Sequence, residues 1–205
     1  MVLLPGGKSP STLFKKLIIS NIKWKNISLM ATDDRVVPLN SSYSNTRKIK
    51  DELVLKLKYE NRPSLITLFS EKNNDIKNGL SLIGDYLMKS KHSIAFLGMG
   101  VDGHVAGVFD KNLSHKFCYD FKNKLEPFRR ITISMNVFLK TKNIVLYVLG
   151  REKKKMLSSI LLKKNHNYFI PAKFLLENNL GEKVIICDKE AAPNEFSIGE
   201  SIIYL

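Results

Sequence analysis

The sequence predicts an α/β protein, a Rossmann-like three-layer sandwich with a mostly parallel sheet. Short apolar runs alternate with segments of helical period along most of the chain. The run Ile144-Val145-Leu146-Tyr147-Val148-Leu149 is apolar throughout, as in strands buried on both faces. Several runs stop at glycine turns, namely Gly6-Gly7, Gly98 and Gly150. With 205 residues, 44% hydrophobic and 25% charged, the chain has ample size for one core. Residues 1–205 are expected to form a single domain, with 193–205 unassigned.

Val2-Leu3-Leu4 reads as the tail of a strand before the turn Pro5-Gly6-Gly7-Lys8. Ser9 is placed to cap a helix over 11–19, with Pro10 at its first position. Residues 27–32 form the next strand, ending in a charged loop over 33–38. Ser44 or Asn45 caps a helix running to about Tyr59. A short strand covers 65–69, and apolar residues at 76, 80, 83 and 87 predict an amphipathic helix over 76–88. The strand 93–97 leads into Gly98-Met99-Gly100-Val101-Asp102-Gly103-His104, read as a tight glycine turn opening a helix. Residues 111–129 show no period and read as irregular. Strands follow over 130–134 and 143–149, helices over 152–162 and 171–176, and a last strand over 184–187.

Composition narrows the function classes. The net charge is +14. A basic chain suits nucleic acid or an anionic metabolite, but the charge is mostly Lys spread along the chain, and no basic motif interleaved with aromatics appears. No nucleic-acid partner is therefore expected. Cys118 and Cys187 have no paired spacing, so neither a disulfide framework nor a zinc site is predicted and both read as reduced thiols. No HxxxH, HExxH or EF-hand spacing occurs, and GxSxG is absent. No apolar run nears the ~20 residues of a membrane helix, and the N-terminal residues lack the basic and apolar regions of a signal peptide. A cytoplasmic, soluble protein is expected.

Four stretches carry candidate chemistry. Gly6-Gly7-Lys8 follows a strand and opens a helix, where backbone N–H groups and the helix dipole favour a phosphate; a plain turn reads equally well. Asp33-Asp34-Arg35 at a strand end suits hydroxyls and an anion; the alternative is a solvated turn with a surface ion pair. His104 stands directly after a glycine turn at the carboxyl end of a strand, where open α/β sheets bind ligands. An imidazole with an ordinary pKa of about 6.5 suits a general base, and Asp102 is near enough to orient it. His92, His115 and His166 lack such a setting and read as surface residues. Lys153 after Gly150, and Arg130 at the head of a strand, are candidate anion ligands; Lys153 also reads as a solvated member of the run Lys153-Lys154-Lys155.

Taken in order, these stretches resemble the glucosamine-6-phosphate isomerase/6-phosphogluconolactonase family. The resemblance rests on Gly6-Gly7-Lys8-Ser9-Pro10, Asp33-Asp34-Arg35-Val36-Val37-Pro38 with Ser44-Asn45, Gly98-Met99-Gly100-Val101-Asp102-Gly103-His104-Val105-Ala106, Arg130-Ile131-Thr132-Ile133, Gly150-x-x-Lys153, Pro171-Ala172 and Asp188-x-x-Ala191-Ala192. In the family pattern a helix and most of the first strand precede the Gly-Gly loop, and both are expected to be missing here.

The resemblance implies hydrolysis of 6-phospho-D-glucono-1,5-lactone in the pentose phosphate pathway, without metal or organic cofactor. It implies His104 as the base that activates water and Asp102 as its orienting neighbour. It places the phosphate at Gly6, Gly7 and Lys8, with Arg130 and Lys153 as cationic partners and Arg35 close by, and Asp33 among the substrate contacts. The expected partner is a small sugar-phosphate lactone, and a monomer is expected. The sister isomerases resemble DGHxAFNEP after the glycine turn, with Glu five residues past the His and an aromatic residue after the acidic pair. Phe109 and Arg35 stand at those positions here, which favours the lactonase. The alternatives are glucosamine-6-phosphate isomerisation with deamination, and a non-catalytic sugar-phosphate binder.

Overall fold

The structure, a computed structural model, describes residues 1–7, 10–69, 76–111, 116–122 and 127–194, and the backbone of 202–204. In chain order the elements are β1 (Val2–Leu4), α1 (Pro10–Ile19), β2 (Ser28–Ala31), β3 (Asp33–Arg35), α2 (Asn45–Glu52), β4 (Ser64–Ile66), α3 (Ile76–Lys89), β5 (Ile94–Gly98), β6 (Cys118–Lys122), β7 (Arg129–Ile133), α4 (Met135–Lys140), β8 (Asn143–Val148), α5 (Lys154–Leu161), α6 (Pro171–Asn178), β9 (Glu182–Cys187) and β10 (Ile202–Tyr204).

Seven strands make one sheet in the order β10-β9-β8-β5-β1-β2-β4, every neighbouring pair parallel. The predicted α/β class with a parallel sheet is therefore observed. The continuous apolar strands are buried: Leu3, Leu29, Ala95, Leu97, Ile144 and Leu146 are fully inaccessible. Burial on both faces is what removes their polar alternation. The chain winds outward in one direction through β2 and β4 and in the other through β5, β8 and β9. The order reverses between β1 and β5, and the carboxyl ends there flank a crevice where such sheets hold ligands.

A second sheet, antiparallel in the order β3-β7-β6, sits against the first. Thr32 is the junction. Its N–H donates to the Leu4 carbonyl at 2.8 Å, and its own carbonyl accepts from Ile133 N–H at 2.9 Å. The chain thus steps from the parallel sheet into the antiparallel one within a single residue.

Residues 33–35 are strand β3, not the charged loop expected from their composition. Alternation along the strand sends Asp33 and Arg35 to one face and Asp34 to the other. Asp34 is buried against the start of α2 and accepts five hydrogen bonds. They come from the N–H groups of Arg35 (2.8 Å), Asn45 (2.6 Å) and Thr46 (2.9 Å), and from the hydroxyls of Ser44 (3.2 Å) and Thr46 (2.6 Å). Burial raises its pKa, and the bonds from Thr46, Asn45 and Arg35 oppose that rise. Ser44 is the N-cap, its Oγ accepting from Arg47 N–H at 3.1 Å, as expected of Ser44 or Asn45. The helix stops at Glu52, and short 3₁₀ turns over Val54–Lys56 and Tyr59–Asn61 take up the span expected to continue it.

Other expectations change as well. No helix opens within residues 99–111. Gly103 has φ of 82° and Ala106 φ of 51°, and two such residues cannot continue a right-handed helix. The segment folds instead through antiparallel bridges Met99–Val105 and Val105–Val108. The stretch read as irregular contains β6, and α4 follows β7 without having been expected. The unassigned tail supplies β10, pairing with β9 through Ile202–Ile185, Ile203–Ile186 and Tyr204–Cys187. Ser9, the expected cap of α1, lies outside the described residues, as does His115. His92 and His166 are half-buried, not surface residues, and the Nε2 of each is buried without a hydrogen-bond partner. Burial lowers the His92 pKa, reinforced by the chain's own amino terminus.

The role of Asp34 is directly testable. Asp34→Ala would strip five donors of their acceptor, so the variant is expected to lose at least about 3 kcal/mol of stability in chemical denaturation. A loss under about 1 kcal/mol would show that the start of α2 does not depend on this carboxylate.

Candidate active site

The crevice between β1 and β5 opens into a cleft of about 360 Å³. Four chain segments reach it at strand ends: the turn after β1, strand β3 with its partner β7, the glycine segment after β5, and the start of the helical segment after β8. Gly6, Gly7, Asp33, Arg35, His104, Arg130 and Lys153 all line it. Residues spread from 6 to 153 thus converge on one space, with Asp102 behind His104 and outside the lining. Lys8 lies outside the described residues.

His104 is held by its own segment. Its Nδ1 lies 2.6 Å from Asp102 Oδ1, and its backbone N–H donates to the same oxygen at 3.2 Å. Partial burial works to raise the Asp102 pKa. The backbone N–H and the imidazole of His104 outweigh it and hold the carboxyl below its ordinary value. Asp102 is therefore a carboxylate at neutral pH and can only accept, so in the neutral imidazole Nδ1 carries the proton and Nε2 the lone pair. That is the tautomer a general base needs. On the ring's other side stands Phe109, with centroids 4.4 Å apart and planes at 36°.

Another part of the lining is cationic. Arg130 is nearly buried and forms an ion pair with Asp33, also nearly buried. In the β3–β7 register Arg35 faces Arg130 directly, so both guanidinium groups leave the sheet on the same face as Asp33. Arg35 donates to Asn45 Oδ1 at 2.7 Å, and Asn45 Nδ2 donates to the Asp33 carbonyl at 2.8 Å. Asn45 also packs against Gly6, where a Cβ would stand 2.0 Å from its Cγ. Lys153 enters from the 3₁₀ turn that precedes α5. That turn is anchored by Asp188, whose carboxylate accepts from Gly150 N–H (3.1 Å) and Ala191 N–H (2.8 Å). The Asp188-x-x-Ala191 motif is thus a brace for the Lys153 segment.

Neither carboxylate of the acidic pair stands in a solvated turn. Asp33 is engaged with Arg130 and Asp34 with α2, which corrects the surface ion-pair alternative for this loop. The cleft also takes in polar side chains to which the sequence assigned no role in the site, among them Asn45, Thr32 and Tyr147. Asn45 carried a signal as a cap candidate and as part of a family stretch. Thr32 lies at the junction of β2 and β3 and Tyr147 within β8, where sequence pattern reports burial and not the side facing a ligand. Among the described residues no group of three His, Cys, Asp or Glu side chains is arranged to hold a metal ion, and no helix is long and apolar enough to cross a membrane.

Comparison with known proteins gives a consistent picture. Residues 1–185 match the family model described as glucosamine-6-phosphate isomerases/6-phosphogluconolactonase. A 6-phosphogluconolactonase of Helicobacter pylori is 29% identical over 184 residues, covering 86% of this chain and 78% of the relative. One from Thermotoga maritima is 28% identical over 167 residues, covering 78% of this chain and 74% of the relative. Among solved structures, a 6-phosphogluconolactonase from Shewanella baltica superposes with a TM-score of 0.77 at 20% identity, covering 91% of this chain and 82% of its own. A monomeric glucosamine-6-phosphate deaminase superposes with a TM-score of 0.70, also at 20% identity, over 93% of this chain and 86% of its own.

If the cationic part of the cleft is an anion site, Lys153→Met is expected to weaken inorganic phosphate binding about tenfold in calorimetry, with the melting temperature unchanged. Equal binding by the two proteins would remove Lys153 from the site.

Proposed function

The chain belongs to the glucosamine-6-phosphate isomerase/6-phosphogluconolactonase family, and from that premise we propose that it hydrolyses 6-phospho-D-glucono-1,5-lactone to 6-phospho-D-gluconate in the pentose phosphate pathway. One observation carries the reading: an imidazole with a free Nε2, bonded at Nδ1 to a carboxylate, shares a single cleft with three cationic side chains among the described residues. The first part suits water activation and the second suits a dianionic phosphate.

In this reading the phosphate is held by the N–H groups of the Gly6-Gly7 turn at the start of α1, by Arg130 and Lys153, and by Arg35 at the side. Fixing the phosphate brings C1 of the ring to His104. Nε2 accepts a proton from water as its oxygen adds to C1, and the carbonyl becomes a tetrahedral oxyanion. Collapse breaks the C1–O5 bond, and the imidazolium returns the proton to O5. Asp102 stays ionised throughout and offsets the charge formed on the ring. The product acid ionises and releases one proton to solution. Lys8 is placed beside the phosphate by the family pattern alone.

The fold alone does not choose between lactonase and deaminase, since structures bearing either name superpose on this chain. The curated relatives described above are lactonases. Within the cleft, Asp33 is committed to Arg130 and Asp34 to α2, while Phe109 gives no carboxylate beside His104. We read residues 1–205 as one catalytic unit acting as a monomer in the cytoplasm, without metal or organic cofactor. Support for a reducing compartment comes from Cys118 and Cys187, both buried and free.

The test is acid release from the lactone, corrected for spontaneous opening with a no-enzyme control. His104→Ala is expected to lower kcat at least about 10²-fold. Asp102→Asn, which favours the wrong tautomer, is expected to lower kcat at least about tenfold with little change in KM. Wild-type turnover of glucosamine 6-phosphate in place of the lactone would overturn the reading, as would full activity of His104→Ala.

A further inference from the structure

A single hydrogen bond at Nδ1 does not fix an imidazole in space. The ring remains free to swing out of its plane about the bond that attaches it, and Nε2 swings with it. What opposes that swing is Phe109, whose ring lies against the imidazole at 4.4 Å between centroids. Phe109 is only half-buried, five residues from His104 on the same irregular segment, so it needs a support of its own. Phe121 supplies it, edge-on to Phe109 with centroids 5.8 Å apart and planes at 61°.

Phe121 comes from a different sheet. It lies on β6 opposite Arg130 of β7, and paired residues of an antiparallel ladder share a face. The aromatic support and the buried guanidinium therefore stand side by side on one rigid surface. The approach of Phe121 to the His104 segment depends on Gly107. A Cβ at that position would stand 2.5 Å from Phe121 Cε1 and 2.8 Å from Thr132 Cβ. The same glycine is tied to the sheet by its N–H, which donates to Thr132 Oγ1 at 3.0 Å.

We infer that Phe109, backed by Phe121, is the positioning residue for His104, locking the plane of the imidazole so that Nε2 faces the substrate carbonyl. The inference rests on the reading of His104 as the base of lactone hydrolysis and adds the element that aims it. Asp102 sets which nitrogen carries the proton, and Phe109 sets where the other nitrogen points. Through Phe121 the aim of the base is referenced to the sheet that carries Arg130, so base and anion site keep a constant separation.

The experiment compares wild type with Phe109→Ala, Phe109→Leu, Phe109→Tyr and Phe121→Leu, by steady-state kinetics on the lactone and by ¹⁵N NMR of the His104 imidazole. Phe109→Ala is expected to lower kcat about tenfold with KM within about twofold, because a misaimed base leaves substrate binding intact. Phe109→Tyr, which keeps the ring, is expected to stay within about twofold of wild type, and Phe121→Leu to fall between them. The imidazole signals are expected to be sharp in wild type and broadened by exchange between ring orientations in Phe109→Ala, with the Nδ1-protonated tautomer kept in both. If Phe109→Ala does not fold, Phe109→Leu decides the question by the same two readouts. A kcat within about twofold of wild type in the alanine or leucine variant would overturn the inference, as would a loss confined to KM with the imidazole signals unchanged. Failure of the wild type to open the lactone faster than the no-enzyme control would instead overturn the lactonase reading. The NMR comparison still judges Phe109 in that case.

Discussion

A carboxylate taken out of water must find a partner, and Asp33 and Asp34 show how far that constraint shapes this protein. They are neighbours in a three-residue strand, so alternation alone forces them to opposite sides. Asp34 gathers the start of α2 and thereby places Ser44, Asn45 and Thr46. Asp33 reaches across to β7 and holds Arg130. Asn45, set by the first carboxylate, then bridges Arg35 to the backbone of the second. The cationic wall is thus assembled from both sides by two acids that do no chemistry themselves.

The same wall carries a built-in tension. Arg35 and Arg130 are directly opposite in the β3–β7 ladder, and like charges in that relation repel. Asp33 relieves part of it. Among the described residues, with Lys153 included, three cations line the cleft against one carboxylate, so an anion entering it removes repulsion as well as gaining hydrogen bonds. A dianion gains more than a monoanion does, which is a reason for phosphorylated over unphosphorylated sugars that needs no contact to the sugar itself. The high positive charge of the whole chain acts in the same direction at longer range.

The inner strands of the parallel sheet were legible in the sequence because they are largely buried and read as apolar runs, whereas the edge strand β10 was not. Glycine punctuation marked the strand ends at Gly6-Gly7, Gly98 and Gly150, and those ends supplied the first turn, the His104 segment and Lys153, while Thr32, Asp33, Arg35, Asn45 and Arg130 came from elsewhere. The antiparallel sheet was legible only at β7. β3 has no apolar residue at all, since ion pairs and helix N–H groups do for it what hydrophobic contact does elsewhere. β6 alternates half-buried polar and aromatic residues and looks irregular to a search for apolar period. The helix expected after Gly98 fails because Gly103 and Ala106 take positive φ, and nothing in residue type announces that choice at an alanine. His104 was found by its place at a strand end. Phe109 was noticed as the residue standing where a carboxylate is expected in the isomerases, and its contact with the imidazole is a tertiary fact.

Those positions bear on why the chemistry is hydrolysis. Moving a hydrogen between neighbouring sugar carbons calls for a carboxylate free to accept and return it beside the reacting atoms. Here the two acids next to the cleft are already bound, one by a guanidinium and one by five donors, and freeing either would strand a charge or open a helix end. Against the face of the imidazole stands a phenyl ring, which holds a shape and exchanges no proton. What remains is one nitrogen lone pair, with its neighbour's carboxylate ready to offset the charge that forms. Opening a lactone requires one proton taken from water and the same proton returned to the ring oxygen, and a single aimed imidazole suffices for both transfers.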